Sequence, residues 1–319
     1  MSILKSIKKK AGKKAKQLKL LRFHAKQTSN KRFDKKRIII CFNGQIPHGG
    51  LVDRLKGIVS FYEVAKVLDY NFFIQFNNPF TLNTFLEPNT VQWKIKDEAV
   101  TYNSKTTKLV YVINDFNVNP LTLIKESKAE TFLVYANIDY LSKMYPEVTG
   151  TVLENKWRTS FNELFKKSSL LESKLKSVEK DNYIAFHTRF TTLMGDFQDT
   201  TALVLAKDEK DALIFQLQKK IQTLLQGSDN KCYGFSDSIQ FLKTIKEKEN
   251  IHLVEGNPFH MDNFDTNASL EGHLKTILDF FMLSESETVY FLKLGNMYHS
   301  SFSKYAAIVG NKPFKTITD

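Results

Sequence analysis

At 319 residues, with 42% hydrophobic and 25% charged residues, the chain has room for two domains with their own cores and the balance of an ordinary globular protein. Its formal net charge of +12 is uneven: residues 1–37 hold fifteen Lys and Arg against one acidic residue, Asp34, which leaves the remaining residues at −2. Two cysteines exclude a disulfide scaffold, and the lack of an apolar run of about 18 residues excludes a predicted transmembrane helix.

The basic leader, residues 1–36, has no apolar core or cleavage site of a secretory signal. Ile3, Leu4, Ile7, Ala11, Leu18 and Leu21 fall roughly on one side of a helix with lysines elsewhere. The leader therefore reads either as an amphipathic helix lying on an anionic membrane or as a disordered basic tail. It lacks the interleaved aromatic or arginine surface of a specific nucleic-acid binder. Arg37–Phe42 is a continuous apolar run, the first strand of a parallel sheet. A loop with Gly49-Gly50 follows, then a helix from Leu51 or Val52 to about Leu68 and a strand over Phe72–Phe76, which together make a βαβ unit. Strands are expected at Lys108–Ile113 and Thr131–Ala136, and a helix at Ser160–Leu171. The polar Ser168–Lys180 stretch reads as a helix end and an interdomain passage.

A second β/α series starts at Asn182. It predicts strands at Tyr183–Phe186, Lys231–Phe235, Ile251–Val254 and Thr288–Leu292, with helices at Lys207–Leu225, Ser238–Lys246, Leu270–Ser284 and Ser301–Val309. This alternation implies an open parallel sheet with helices on both faces, and ligands in such sheets bind beyond the carboxyl ends of the strands. Cys41 and Cys232 fall within strand-like runs and read as buried thiols, which suits a reducing compartment.

The candidate site residues follow from those strand ends. His187-Thr188-Arg189 delivers a histidine and a guanidinium whose fork of donors matches phosphate oxygens. Ser236-Asp237-Ser238 offers either a carboxylate to a nucleobase or a cap to the next helix. Ser300, Ser301 and Phe302 precede an Ala-rich helix and form either a phosphate seat or an N-cap. In the first half, Gly49 and Gly50 let backbone approach a ligand, with Asp53 and Arg54 one turn on; the plainer reading is a tight turn with a surface arginine. Asp262 and Asp265, with Asn263 and His260 nearby, read as a solvated acidic loop, and no metal site is expected.

In that order, the segments 49–57, His187-Thr188-Arg189, Ser236-Asp237-Ser238, and Asp279–Ser284 with Ser300–Ser303 and Ala306 resemble the fucosyltransferase superfamily of GT-B glycosyltransferases, which includes the α1,6-, α1,2-, nodulation-type and protein O-fucosyltransferases. The resemblance implies two Rossmann-like α/β domains facing across a cleft: an acceptor domain over 37–180 and a donor domain over 181–319. It implies an inverting transferase that uses GDP-fucose as co-substrate, a saccharide or lipid-linked saccharide acceptor, and no metal or other cofactor. Arg189 would hold the β-phosphate, His187 and Asp237 the base or ribose, and Ser300, Ser301 and Phe302 the diphosphate. Asp196 would be the general base, with Asp53 as the fallback. Many relatives carry a second arginine where this chain has Phe190. Another nucleoside-diphosphate sugar, or a non-catalytic nucleotide- or glycan-binding pair of domains, therefore stays open. The leader suggests a cytoplasmic enzyme of bacterial surface-glycan synthesis, peripheral on the inner membrane face.

Overall fold

The computed structural model describes residues 2–197, 199, 203–262 and 270–319. Two compact units divide the chain, Met1–Lys166 and Lys167–Asp319.

The first unit contains α1 (Ser2–His24), β1 (Arg37–Phe42), α2 (Leu51–Leu68), β2 (Asn71–Phe76), β3 (Leu86–Pro88), β4 (Thr107–Tyr111), α3 (Pro120–Lys125), β5 (Thr131–Tyr135), α4 (Leu141–Met144) and α5 (Gly150–Leu164). Its main sheet runs β2-β1-β5-β4, with every pairing parallel. The uninterrupted apolar run of β1 is buried at every position, as expected for a strand covered on both faces. Helix α2 comes close to the residue after β5: a Cβ on Gly57 would sit 2.5 Å from the Ala136 carbonyl oxygen, so only glycine fits there.

The leader is not a separate tail. Leu20, fully buried, packs with Ile39, Cys41, Leu133 and Tyr135, and His24 Nε2 lies 2.7 Å from the Tyr135 hydroxyl. The end of α1 is thus part of this unit's core, and Lys13 pairs with Asp115 at 2.7 Å farther up the helix.

The strand β6 (Phe165–Lys167) spans the join. The helix expected over 160–171 is in fact two. The chain turns extended at Phe165, and Ser168 starts α6 (Ser169–Ser177) by accepting from Leu171 N at 3.2 Å. The stretch read as a passage is therefore helical over most of its length.

The second unit continues with β7 (Tyr183–Thr188), α7 (Lys207–Gln226), β8 (Lys231–Ser236), α8 (Ile239–Lys248), α9 (Leu270–Glu285), β9 (Val289–Leu292), α10 (Phe302–Gly310) and β10 (Phe314–Ile317). The sheet runs β10-β9-β7-β8, again parallel throughout, so β7 lies between two neighbours with its end at the middle of the sheet. The strand expected at Ile251–Val254 is reduced to one bridge, in which His252 exchanges backbone bonds with Cys232 and Gly234 beside β8. Gly256, at φ +104°, turns the chain away before a ladder can extend. Strand β10 was not expected, because it is an edge strand with exposed Lys315 and Thr316 and carries no apolar run.

Candidate functional site

The end of β7 is fixed by hydroxyls. Thr188 sits opposite Ser236 in register and donates its Oγ1–H to Ser236 Oγ at 2.9 Å, and Ser236 Oγ accepts from Ser238 N at 3.0 Å. Ser236 and Ser238 are buried and knit strand ends and a helix start together; Ser238 Oγ also accepts from Phe241 N at 3.1 Å, capping α8.

Asp237 is buried and takes up the turn after β7. Its Oδ1 accepts from Phe190 N at 2.8 Å, and its Oδ2 accepts from Thr191 N at 2.7 Å. Thr191 has φ +58°, an uncommon conformation for a β-branched residue, and the carboxylate holds it there. Burial pushes the Asp237 carboxyl above the usual carboxylate range, opposed by the nearby Arg189 charge and the two N–H groups. The same Oδ2 lies 3.2 Å from Arg189 Nε.

Arg189 is therefore gripped on two edges: Asp237 takes Nε, and Asp199 takes Nη2 at 2.5 Å. Its guanidinium carbon lies 4.6 Å from the centroid of the Phe197 ring. The side chain keeps 19% of its surface exposed, against 10% for Asp199 and 2% for Asp237. Sequence reasoning missed Asp199. The available signal was a second carboxylate ten residues after Arg189, in the same loop.

His187 is engaged with other elements. Its Nδ1 is 3.1 Å from Ser303 Oγ, and its ring packs on Phe291 and Phe302 with centroids 5.6 and 5.4 Å apart. Burial, with a smaller contribution from Arg189, lowers its pKa to about 3, so the ring is neutral. It joins β7 to the start of α10. Ser300 Oγ accepts from Phe302 N at 3.2 Å, Ser301 is the N-cap residue of α10, and Phe302 also packs against Phe280. Asp279, in the same resembling segment, is buried and paired with Lys275 of its own helix at 2.5 Å.

Asp196 follows Gly195, whose φ of +85° turns the loop. Its Oδ2 accepts from Ser238 Oγ at 3.0 Å and from Gln240 N at 2.8 Å, so it caps α8 from outside. These loops border an open pocket of about 640 Å³ lined by Asp196, Phe197, Asp237, Gln240, Lys243, Asn257, Phe259 and His260. It lies beyond the carboxyl ends of β7 and β8, where open α/β sheets take ligands. Two aromatic rings, a lysine and two amides give it faces to stack on and donors to offer.

In the first unit the glycine loop closes on itself. Gly49 has φ +89°, and Gly50 is the N-cap residue of α2, its N–H donating to Asp53 Oδ2 at 3.3 Å. Asp53 Oδ1 is 3.4 Å from Lys56 Nζ. Arg54 is not the surface arginine of the plainer reading. It is 2% exposed and donates to the carbonyls of Gly49 at 3.2 Å and Asn78 at 2.7 Å, near the rings of Phe42 and Phe76. It ties the glycine loop to the end of β2.

Both cysteines are free and buried, and burial pushes the Cys232 thiol up to about 12. Among the described residues no group of three or more His, Cys, Asp and Glu could hold a metal ion; Asn263 and Asp265 lie outside them. No described helix is long and apolar enough to cross a membrane.

No protein-family model matches the sequence, and no curated protein matches it. Solved structures do match in fold. The NodZ α-1,6-fucosyltransferase soaked with GDP-fucose superposes with a TM-score of 0.55 at 15% identity, over 86% of this chain and 93% of that one. The same enzyme co-crystallized with GDP gives 0.55 at 15% identity, over 86% and 92%. The fucosyltransferase NodZ from Bradyrhizobium gives 0.54 at 15% identity, over 86% and 93%. The two parallel sheets flanked by helices are thus the GT-B-like architecture of those structures.

Proposed function

We propose that the chain is a glycosyltransferase that moves a sugar, fucose from GDP-fucose, to a saccharide hydroxyl with inversion and without a metal ion. The observation that carries this reading is Arg189: a guanidinium held at the tip of the central strand, beside a pocket of nucleotide size, in a fold shared with an enzyme whose crystals were soaked with GDP-fucose.

In the reaction the acceptor oxygen forms a bond to the sugar's anomeric carbon while the bond from that carbon to the phosphate oxygen breaks. The electron pair leaves with the nucleoside diphosphate, and charge accumulates on its β-phosphate. Arg189 meets that charge, and a fixed cation at such a place is worth about 10²–10³ in rate. To do so its Nη edge exchanges Asp199 for phosphate oxygens, while Asp237 keeps Nε and the orientation. The acceptor proton passes to a carboxylate. Asp196 is the first candidate and Asp53 the second.

Calorimetry with GDP, UDP and ADP tests the reading: GDP binding, lost in R189A with the fold intact, supports it, and no binding of any of the three by the wild-type chain sinks it. One observation favours the sister reading of another nucleoside-diphosphate sugar. Both oxygens of Asp237 already accept from backbone N–H groups, and Oδ2 also meets Arg189, which leaves guanine's N–H donors less acceptor capacity there. A preference for UDP or ADP over GDP would decide for that reading.

A further inference from the structure

Helix α1 has two sides with different fates. The side bearing Leu20 and His24 is packed into the first unit, and Lys13 and Lys19 reach Asp115 and the Gln45 carbonyl. On the other side, at roughly 100° per residue, Ala11, Ala15 and Leu18 recur along one stripe, nearly opposite Leu20 and His24, and the sequence repeats the same apolar spacing at Ile7 and Leu4. Within the described side chains of that stripe, Ala11, Ala15 and Leu18 are exposed, Leu18 by 48%.

Cations border the stripe: Lys14 and Arg22, one turn before and one turn after Leu18, are exposed, and α1 carries no acidic residue. A solvated helix gains nothing from an exposed apolar stripe. A helix packed only on its own domain needs one stripe, and α1 already has that in Leu20 and His24. The second stripe, edged by cations, has the composition of a helix that lies in the plane of an anionic bilayer, apolar side down and ammonium groups at the phosphates.

The geometry points to α1 as a membrane-docking element that holds the first unit on an anionic phospholipid surface through the exposed stripe of Ala11, Ala15 and Leu18 and the flanking cations Lys14 and Arg22. The opposite face of the helix is fastened to the core, so docking is rigidly coupled to the unit. The inference stands independently of the donor reading.

The test is co-sedimentation of the full chain with vesicles of phosphatidylcholine alone and of phosphatidylcholine mixed with phosphatidylglycerol. Wild-type chain pellets with the mixed vesicles and not with the neutral ones, and added salt releases it. L18E removes the stripe's largest described side chain, while the new carboxylate meets Lys14 and Arg22 one turn away on either side, so the helix is kept. It lowers the partition by about tenfold or more. K14E lowers it by about fivefold or more, from the loss of one surface cation near anionic lipid. Unchanged thermal midpoints show that the variants fold. The proposal is overturned if the wild-type chain stays in the supernatant with anionic vesicles, or if L18E binds as well as wild type. It is also overturned if single-stranded or duplex nucleic acid captures the chain and L18E does not alter that, while vesicles do not.

Discussion

Asn in place of Asp199 isolates the competition for the Arg189 guanidinium. The wild-type pair is close, with 19% and 10% of the two side chains exposed. Two unit charges about 4 Å apart attract by about 4 kcal/mol at an effective dielectric of about 20. Desolvation and side-chain ordering cancel much of that, leaving about 1–2 kcal/mol net for a partly buried, charge-assisted bond. A diphosphate that binds Arg189 must first give up this contact, so D199N should tighten nucleoside-diphosphate binding by about 5- to 30-fold. Titration calorimetry of the preferred diphosphate against wild type and D199N measures it, with the unmodified nucleoside as the control that should not change. Affinity that is equal or weaker in D199N would refute the reasoning. Unchanged affinity together with a collapse in turnover would instead mark Asp199 as the proton acceptor.

In R189A transfer should fall by about 10²–10³ at saturating donor, read as release of nucleoside diphosphate. D196N separates two roles of one carboxylate: the amide oxygen still accepts from Ser238 and Gln240, so folding is preserved, and near-normal turnover would remove Asp196 from the chemistry. For pH, burial lowers His24 to about 4 and His48 and His187 to about 3, from 6.5. Each folded-state pKa lies below the unfolded one, so the unfolded chain binds more protons below 6.5. Stability is then complete above 6.5 and lost as pH falls toward 4, by up to about 1.4 kcal/mol per pH unit for each ring. Thermal unfolding between pH 7 and 4 should show that decline, and H187Q should flatten it by about one proton.

The β/α series was readable where apolar runs were long and bounded. β1, α2, β7, α7 and β8 lie within a residue or two of their expected limits, because strands buried on both faces write themselves as continuous apolar runs and the helices as a repeating apolar face. The failures share a cause: tertiary context chose where local pattern was neutral. The apolar run across 160–171 continues through the point where the chain extends at Phe165, and β10 earns its strand from a neighbour, not from its residues. At the site, His187, Arg189 and Asp237 were legible as strand-end polar residues. Their partners were not, since whether a carboxylate meets a ligand, a helix end or an arginine depends on loops. Asp199 and the capping role of Asp196 arise from such loops. Arg54 was legible as a residue of interest, but its burial against two carbonyls was not.

The two carboxylates on Arg189 are not equivalent, and on the proposed reading the difference would let a partly buried cation serve as a phosphate clamp. Removing every counter-charge from a partly buried guanidinium would cost several kcal/mol, so an arginine at a strand tip needs a permanent partner. Asp237 is that partner: it is nearly fully buried, its oxygens are tied to Phe190 N and Thr191 N, and leaving would strand two backbone donors and a left-handed threonine. Asp199 is more exposed and belongs to the loop that also carries Phe197. A diphosphate brings more charge than one carboxylate and a geometry that fills the guanidinium fork, so it can displace Asp199 without disturbing Asp237. On that reading the arrangement would keep the charge neutralised and the guanidinium aimed, with Asp199, of the two carboxylates, the one exchanged.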